Sequence, residues 1–248
     1  MRRSVVPRRP RHRQRAVRRH PRYATAILLA GAVIAAACGP TVTDDEPTRD
    51  LPEEPIVRSL PQPSTPEAGS LEDAIAARRS LRDLDPRALT EAQVGQLLWA
   101  AQGITDPSGL RAAPSAGATY PLEVYVVTTE RAARYVPAEH ALVDHLDGDH
   151  RRAVTDAAFG QEWMADAPLI VALTAVEART AERYGDRATR YVLIEVGHAA
   201  QNLLLQATAL DLVGTPVGAF EATALTRALA LPDDHVPIYL VPVGRPAA

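Results

Sequence analysis

The first 70 residues of the chain are unsuited to a folded core, and this confines the fold to the residues that follow. Ten arginines lie within the first 22 residues, and residues 24–37 then form an uncharged, mostly apolar run. Residues 40–70 contain seven prolines among Thr, Asp, Glu and Ser, with few large apolar residues to bury. Such a composition is typical of a tether. The remaining length suits one sizeable core, so we expect a single folded domain over residues 71–248.

The N-terminal segment has the layout of a secretory signal peptide over residues 1–37, because a basic leader precedes the apolar run. That run is too short to span a membrane, which takes about 20 apolar residues. The single cysteine, Cys38, directly follows Ile34-Ala35-Ala36-Ala37, an arrangement that resembles the lipobox of bacterial lipoproteins. We therefore expect a lipidated Cys38 and a Pro-rich tether over residues 38–70, with the protein exported and lipid-anchored at a membrane of the bacterial cell envelope. Cleavage without lipidation would instead give a soluble periplasmic or secreted protein.

Charge and the absence of lysine exclude several functions. From Cys38 onward the chain carries 17 basic and 30 acidic residues, a formal balance of 17 minus 30, or −13. Nucleic-acid binding depends largely on basic side chains that displace phosphate counterions, so we expect no nucleic-acid partner. All 27 basic residues are arginine. This excludes a lysine Schiff base and a lysine-bearing phosphate loop.

Hydrophobic periodicity and capping signals predict both helices and strands in the folded part. Ser70 with Asp73, and Thr90 with Gln93, have the spacing of helix N-caps. We predict helices from Ser70 to near Arg79, from Thr90 to Gly103 and from Tyr191 to Leu212, and strands over 122–128, 169–176 and 238–243. Because these elements are interleaved without repeated βαβ units, an α+β domain with a mixed sheet is favoured over a doubly wound fold.

Three segments have the residue types of a ligand-binding site, although each also fits an ordinary surface feature. Arg78-Arg79-Ser80-Leu81-Arg82 brings together three guanidinium groups and a hydroxyl, which can hold a phosphate or can simply favour a helix C-terminus. The segments over residues 111–121 and 214–220 contain small residues that let backbone N–H groups approach a ligand closely. A plain connecting loop is the alternative for the first of these two segments.

The order of these segments resembles that of the nitroreductase superfamily, and in particular its SagB-type branch of azoline-oxidase-like enzymes. The resemblance covers residues 71–246, nearly all of the folded part. It rests on Arg-Arg-Ser-x-Arg at 78–82, Leu-Leu-Trp-Ala-Ala-Gln-Gly at 97–103, Pro-Ser-Ala-Gly-Ala-x-Tyr-Pro at 114–121, Arg190-Tyr191, Glu-x-Gly-His-Ala-Ala-Gln-Asn-Leu at 195–203, Pro-Val-Gly-Ala-Phe at 216–220 and Pro-Val-Gly-Arg-Pro at 242–246.

The resemblance implies a nitroreductase-like α+β fold, with a mainly antiparallel sheet flanked by helices, and a homodimer with FMN at interface active sites. The residues it implies for FMN binding are Arg78, Arg79, Ser80, Arg82, Pro114, Ser115, Ala116, Gly117, Gln161, Gly218, Ala219 and Arg245. Those at 78–82 would hold phosphate, ribityl and pyrimidine oxygens, and the loop at 114–117 would come from the partner chain. The backbone at 218–219 would lie near the flavin N5 atom, and Arg245 is the only candidate for a C-terminal phosphate contact.

Arg183 and Tyr184 are the residues to which the resemblance assigns proton transfer. Azoline oxidases of this branch have a Lys-Tyr pair ahead of the long helix, proposed to move protons, and here Arg183-Tyr184 stands at that place. An arginine stays protonated and is a poor general base, so Tyr184 is the better candidate for donating or relaying a proton. Alternatively, Arg183 and Tyr184 form a surface turn before Gly185.

These observations predict an FMN-dependent oxidoreductase acting on a small-molecule or peptide substrate. The electron source is an azoline ring, as in SagB-type dehydrogenases, or NAD(P)H, as in nitroreductases and quinone-type reductases. A non-catalytic surface lipoprotein that keeps the fold is a further alternative, as is flavin-dependent removal of halogen or nitro groups from aromatics. His140, His145 and His150 are spaced by five residues, so we expect a solvated loop there and no metal site.

Overall fold

The computed structural model of the protein describes residues 70–247. The predicted signal peptide, the lipidation site at Cys38 and nearly all of the tether lie outside the described residues. The helices are α1 (Leu71–Ala77), α2 (Glu91–Gln102), α3 (Arg151–Ala157), α4 (Glu177–Tyr184), α5 (Ala188–Ala209) and α6 (Ala222–Ala228). The strands are β1 (Leu84–Asp85), β2 (Leu122–Val127), β3 (Arg131–Val136), β4 (Ala141–Asp147), β5 (Leu169–Ala175), β6 (Val213–Gly214) and β7 (Val236–Pro246).

The strands form one sheet in the order β1-β7-β5-β2-β3-β4, and β6 pairs with β7 beside this path. Every strand pair in the described part of the chain is antiparallel. Helices cover both sides of the sheet, so the α+β class and the mainly antiparallel, helix-flanked sheet are confirmed. The sheet is more uniform than the mixed sheet that the interleaved elements predicted.

Strand periodicity divides the core between the two faces of the sheet. In β2, Val124 and Val126 pack with α2 and α5, whereas Tyr125 and Val127 pack with α3 and α6 on the opposite face. Strand β5 is buried along its whole length and alternates in the same way. Because successive side chains of a strand point to opposite faces, a central strand with two covered faces is apolar throughout.

Local capping chemistry fixes where the first two helices begin. Ser70 and Asp73 form a reciprocal capping box at α1, and Thr90 and Gln93 form another at α2. Both boxes were predicted. Helix α1 ends at Ala77, two residues before the predicted end, because Arg78 already has an extended ψ of 120°. The arginine segment is therefore a loop after the helix, which weakens the view that its cations serve only the helix dipole.

The structure corrects three further expectations. Helix α5 begins at Ala188, ahead of the predicted Tyr191. Arg183 and Tyr184 end helix α4 and do not form a surface turn. The residues around His145 form strand β4, hydrogen-bonded to β3, where a solvated loop was expected. The sequence pattern for this strand is weak because β4 is an edge strand that exposes most of its side chains.

Among the described residues, no helix combines the length and the apolar character that crossing a membrane requires.

Candidate active site

The arginine segment is an exposed loop between α1 and β1. The Arg78 Nη1 atom lies 3.5 Å from the Ser80 hydroxyl oxygen, and Arg79 donates to the carbonyls of Ala76 and Arg78, each at 2.8 Å. Arg82 lies over the ring of Trp163, with its guanidinium carbon 5.6 Å from the ring centroid. Within residues 70–247, none of these three arginines forms an ion pair with a carboxylate. Their donor groups are therefore available to an anion.

A buried threonine fastens this loop to the segment that follows α5. Thr215 is buried, and its hydroxyl donates to the Leu81 carbonyl at 2.7 Å. The 214–220 segment approaches its neighbours closely, since a Cβ on Gly214 would lie 2.8 Å from the Leu204 side chain. Gly218 and Ala219 are exposed at the end of this segment. The arginine loop and the backbone at 218–219 are thus held on one framework.

Gln161 adds a third element to this framework. Its amide Nε2 donates to the Ala158 carbonyl at 3.1 Å and reaches the Ala219 carbonyl at 3.4 Å. Trp163, two residues further, carries the contact with Arg82. Sequence reasoning missed Trp163, although a large aromatic two residues from a predicted ligand residue was a usable signal. We call the set Arg78, Arg79, Ser80, Arg82, Gln161, Gly218 and Ala219 the arginine half-site.

Arg245 occupies a different environment. Its Nη1 lies 3.3 Å from the Ala88 carbonyl and 3.5 Å from the Arg87 carbonyl, and its Nη2 donates to the Gln93 Oε1 atom at 3.1 Å. These contacts connect the end of β7 to the start of α2. No hydrogen bond in the described part of the chain connects Arg245 to the arginine half-site, so its predicted phosphate contact stays a prediction.

The loop at 114–117 leads into a turn with an unusual backbone conformation. Gly117, Ala118 and Tyr120 all have positive φ, at 61°, 53° and 44°. This is the left-handed region, which costs non-glycine residues free energy and persists where surrounding contacts impose it. The Ser115 hydroxyl accepts a hydrogen bond from the Tyr120 backbone N–H at 2.9 Å and closes the turn. The loop is therefore shaped by its own contacts.

The predicted catalytic pair lies directly against this loop. The Arg183 Nη1 atom donates to the Gly117 carbonyl at 3.2 Å. A Cβ added to Gly117 would lie 2.7 Å from the Tyr184 hydroxyl, so the glycine is required by space as well as by its φ. Tyr184 also packs edge-on against Tyr191, with the ring centroids 4.8 Å apart. We call the set Pro114, Ser115, Ala116, Gly117, Arg183 and Tyr184 the loop half-site.

A buried polar network lies behind the loop half-site, and sequence reasoning assigned it no role. Arg111 donates to the Gln102 Oε1 atom at 2.8 Å, and its guanidinium carbon lies 4.5 Å from the Tyr120 ring centroid. Burial lowers the pKa of Arg111. Glu195 is 2 % exposed, and burial raises its pKa to about 7. The sequence did carry a signal, because Glu195 interrupts the apolar stripe of α5 between Val192 and Ala199.

No hydrogen bond or ion pair joins the two half-sites within residues 70–247. A cleft of about 670 Å³ lies elsewhere, between α2 and the β3–β4 hairpin, and its lining includes Tyr135 and His140 but no residue of either half-site.

The three histidines that the sequence spaces by five residues make separate contacts. His145 donates from Nε2 to the Leu229 carbonyl at 2.7 Å, and His140 hydrogen-bonds the Tyr135 hydroxyl through Nδ1 at 2.8 Å. The Nε2 atom of His150 lies 3.0 Å from the Asp147 carbonyl. Among the described residues, no group of three or more His, Cys, Asp or Glu side chains is arranged to hold a metal ion.

Comparison with known proteins gives consistent matches over the described part. A family model described as "Nitroreductase family" matches residues 75–245. A nitroreductase-family protein of Methanocaldococcus jannaschii is 41% identical over 181 residues, covering 71% of this chain and 90% of that protein. A crystal structure of a nitroreductase-family protein from Ralstonia eutropha JMP134 has a TM-score of 0.67 at 28% identity, covering 76% of this chain and 89% of that one.

A more distant structural match is with a chain of a synthetase complex. The E. coli microcin synthetase McbBCD complex, solved with truncated pro-MccB17 bound, has a TM-score of 0.62 at 18% identity. The match covers 82% of this chain and 80% of that chain. At this identity the likeness concerns the fold alone.

Proposed function

Because the chain belongs to the nitroreductase family of oxidoreductases, we propose that it is an FMN-dependent enzyme of the SagB type. The observation that carries the proposal is the arginine half-site, in which three guanidinium groups face no carboxylate partner within the described residues. The family typically binds FMN. The SagB-type assignment rests on the sequence motifs that the half-sites contain.

The residues of the arginine half-site fit the phosphate end of FMN. From Cys38 onward the chain has a formal charge of −13, yet Arg78, Arg79 and Arg82 form no ion pair with a carboxylate within the described residues. A guanidinium binds phosphate oxygens through charge-assisted hydrogen bonds, which contribute roughly 1.5 to 3 kcal/mol each. The Ser80 hydroxyl, 3.5 Å from Arg78, can serve a neighbouring oxygen. The exposed backbone at 218–219 leaves room for a flat ring system to approach.

When bound, FMN would accept a hydride from one substrate and pass electrons to a second one after the first product leaves. The remaining work belongs to the side chains of the loop half-site. A guanidinium is a poor general base, and that of Arg183 donates to the Gly117 carbonyl, so Arg183 orients the loop. The Tyr184 hydroxyl lies at the same glycine and is the group placed to donate or relay a proton.

The two half-sites become one site if a second copy of the chain supplies the missing half. Helices α1 and α2 each pack against α5, and the three helices expose large apolar side chains, namely Leu71, Ile75, Trp99, Leu193 and Ile194. Exposed apolar surface of this kind marks interfaces. Gly197 of α5 has open space around its Cβ position, which lets another backbone approach closely. A homodimer would bury this surface and bring the loop of one chain to the arginines of the other.

Two electron sources remain candidates for the proposed enzyme. Oxidation of an azoline ring on a peptide is favoured by the SagB-type motifs and by an exported location, where free NAD(P)H is scarce. The NAD(P)H-dependent reductase is favoured by Arg183, because the general base expected of an azoline oxidase is replaced by a cation that is already hydrogen-bonded.

Anaerobic reduction of the purified full-length protein separates these candidates. The flavin absorption is followed after addition of an azoline-containing peptide, NADH or NADPH, each in separate cuvettes. Bleaching by the peptide, with formation of the azole product, supports the proposed dehydrogenase. Bleaching by NADH or NADPH alone supports the reductase. A colourless folded protein that takes up no added FMN would overturn both and support a non-catalytic lipoprotein.

We further propose that the enzyme is exported and anchored through a lipid on Cys38. The proposal rests on the lipobox-like sequence before that residue and on the Pro-rich tether behind it. Labelled fatty acid should enter the wild-type chain and be absent from Cys38→Ser. Equal labelling of both chains would contradict the anchor.

A further inference from the structure

Residues 111–120 form a loop whose two ends lie against each other. The guanidinium carbon of Arg111 lies 4.5 Å from the centroid of the Tyr120 ring. The backbone N–H of Arg111 also donates to the Tyr120 hydroxyl at 3.3 Å. Residues 114–117 of the loop half-site lie in the chain between these two ends. Compact loops with closed ends often carry functional groups, so the closure at Arg111 and Tyr120 bears on the site.

The first end of the loop is fixed on a rigid part of the fold. The backbone of Arg111 forms an antiparallel bridge with Ile104, which follows α2 closely. Its Nη1 atom donates to the Oε1 atom of Gln102 at 2.8 Å, and Gln102 is fully buried at the end of α2. The Arg111 guanidinium is therefore held in place over the Tyr120 ring.

The second end of the loop has a strained backbone that needs support. Tyr120 has a φ of 44°, in the left-handed region that bulky residues rarely adopt. Its N–H donates to the Ser115 hydroxyl at 2.9 Å, and its carbonyl accepts from Arg179 of α4 at 3.1 Å. Arg111 adds the contacts to the hydroxyl and the ring. Because such strain persists only where surrounding contacts impose it, these contacts act together to keep the conformation of Tyr120.

We propose that Arg111 and Tyr120 are positioning residues that close the loop half-site at its base and so hold residues 114–117 in the conformation that binds FMN. This inference rests on the proposed function. Arg111 acts on Tyr120, and Tyr120 acts through its N–H on Ser115, which belongs to the half-site. A loop that is already ordered loses less conformational entropy when it binds, so its ligand is bound more tightly.

Hydrogen–deuterium exchange of the full-length protein, before and after addition of FMN, tests whether this closure orders the loop. The backbone N–H groups of Ala118 and Thr119 donate to carbonyls at Ser115 and Ala116, and that of Tyr120 donates to the Ser115 hydroxyl. Their exchange therefore reports opening of the loop without any need for turnover. Peptides from α5 serve as the internal reference. The dissociation constant of FMN is measured on the same samples by quenching of flavin fluorescence.

The variants remove the contacts one at a time. Arg111→Met keeps the length of the side chain but removes the guanidinium. Tyr120→Phe removes only the hydroxyl, and Tyr120→Leu removes the ring as well. The fourth variant combines Arg111→Met with Tyr120→Leu. Arg131→Met is the matched control, since Arg131 is an exposed arginine of β3 whose ion pairs are to Asp144 and Glu130.

We expect the amides of residues 118–120 to exchange about tenfold faster in Arg111→Met and in Tyr120→Leu, which is the effect of losing one partly shielded cation–π contact. Exchange in α5 should not change. FMN should bind about tenfold more weakly to both variants, because affinity falls with the fraction of molecules in the binding conformation. Tyr120→Phe should show a smaller change in the same direction. Arg131→Met should follow the wild type.

The combined variant separates positioning from a general loss of stability. Adding Arg111→Met to Tyr120→Leu should weaken FMN binding no further, because the guanidinium then has no ring to contact. Additive losses would overturn the inference, as would wild-type exchange and FMN affinity in a folded Arg111→Met chain. If the larger substitutions prevent folding, Tyr120→Phe decides, and unchanged exchange at residues 118–120 in that variant would overturn the inference.

These measurements also distinguish the inference from the proposed function. A wild-type protein that takes up no FMN contradicts the proposed function, whereas exchange in Arg111→Met still tests the closure of the loop. Wild-type FMN affinity in both Arg111→Met and Tyr120→Leu leaves the proposed function standing and removes only the positioning role.

Discussion

The two half-sites differ in how the chain holds them. The arginines of the arginine half-site lie in an exposed loop, where Arg79 donates to the Ala76 and Arg78 carbonyls, Arg78 lies near the Ser80 hydroxyl and Arg82 lies over Trp163. The loop half-site leads into a turn in which Gly117, Ala118 and Tyr120 have positive φ, and Arg183 of α4 is hydrogen-bonded to it at Gly117. One region thus supplies charge without an internal partner, and the other supplies a fixed shape. A ligand with a charged end and a flat end, such as FMN, requires both.

The two half-sites also differ in what they contribute to the stability of the protein without bound FMN. Cations without carboxylate partners add little to stability, because exposed charges are well solvated. A strained loop persists only where its contacts impose it, so its residues are coupled to the fold. Substitutions in the arginine half-site should therefore act on ligand affinity, and those in the loop half-site should act on stability or turnover as well.

The largest expected effect is on FMN affinity when Arg78 and Arg82 are both replaced by alanine. Loss of two charge-assisted contacts, each worth roughly 1.5 to 3 kcal/mol, should weaken FMN binding by at least a hundredfold. The melting temperature of the flavin-free protein should stay unchanged. Titration calorimetry with FMN measures the first quantity and circular dichroism the second. Arg227→Ala, which removes an exposed arginine of α6, is the matched control.

Unchanged FMN affinity in the Arg78→Ala, Arg82→Ala double variant would contradict the assignment of the arginine half-site. A large loss of stability would instead contradict the difference drawn between the two regions.

A smaller effect is expected from Tyr184→Phe, which removes only the hydroxyl that faces Gly117. A positioned general acid or base contributes about a hundredfold or more to turnover, so kcat should fall by about that factor. FMN affinity should be retained, because the ring still packs on Tyr191. Steady-state kinetics with the substrate that reduces the flavin measures kcat, and titration with FMN measures the affinity. Tyr191→Phe removes a neighbouring hydroxyl and should leave kcat near the wild-type value. Equal rates for Tyr184→Phe and the wild type would remove Tyr184 from the chemistry.

The smallest effect is on stability and compares two glycines that both have positive φ. Gly117→Ala meets the strain of φ 61° and a contact at 2.7 Å with the Tyr184 hydroxyl, whereas Gly109→Ala meets the strain of φ 89° with nothing within 4 Å. We expect a destabilisation of about 1 kcal/mol for Gly109→Ala and about 2 to 3 kcal/mol for Gly117→Ala. Urea unfolding measures the difference between the two.

Tyr184→Phe in the Gly117→Ala background should recover part of that difference, since the clashing oxygen is gone. If Gly117→Ala and Gly109→Ala are equally stable, the close packing of the loop half-site against Tyr184 is wrong.

Local signals in the sequence were sufficient for the elements that begin with a cap or repeat a simple period. The capping boxes at Ser70 and Thr90 and the apolar run of β5 depend on residues a few positions apart, and all were predicted. Strands β3 and β4 were not predicted. Their side chains are partly exposed and include charged residues, so their pairing depends on the sheet and not on their own pattern.

The candidate site was predicted as a set of residues but not as two half-sites. The motifs identified Arg82, Gln161 and Ala219, and the structure connects them through Trp163 and the Ala219 carbonyl. That connection spans distant parts of the chain and leaves no mark in local spacing.

The central claim is that one site is built from the arginine half-site of one chain and the loop half-site of another. Subunit complementation tests it most directly. The Arg78→Ala, Arg82→Ala chain is co-expressed with Ala116→Trp, which fills the loop without requiring positive φ, and the mixed dimer is isolated by two affinity tags. Each parent dimer should bind little FMN. The mixed dimer should bind one FMN per two chains, because one of its two sites combines two intact halves. A mixed dimer that binds no more FMN than its parents would show that each site lies within a single chain.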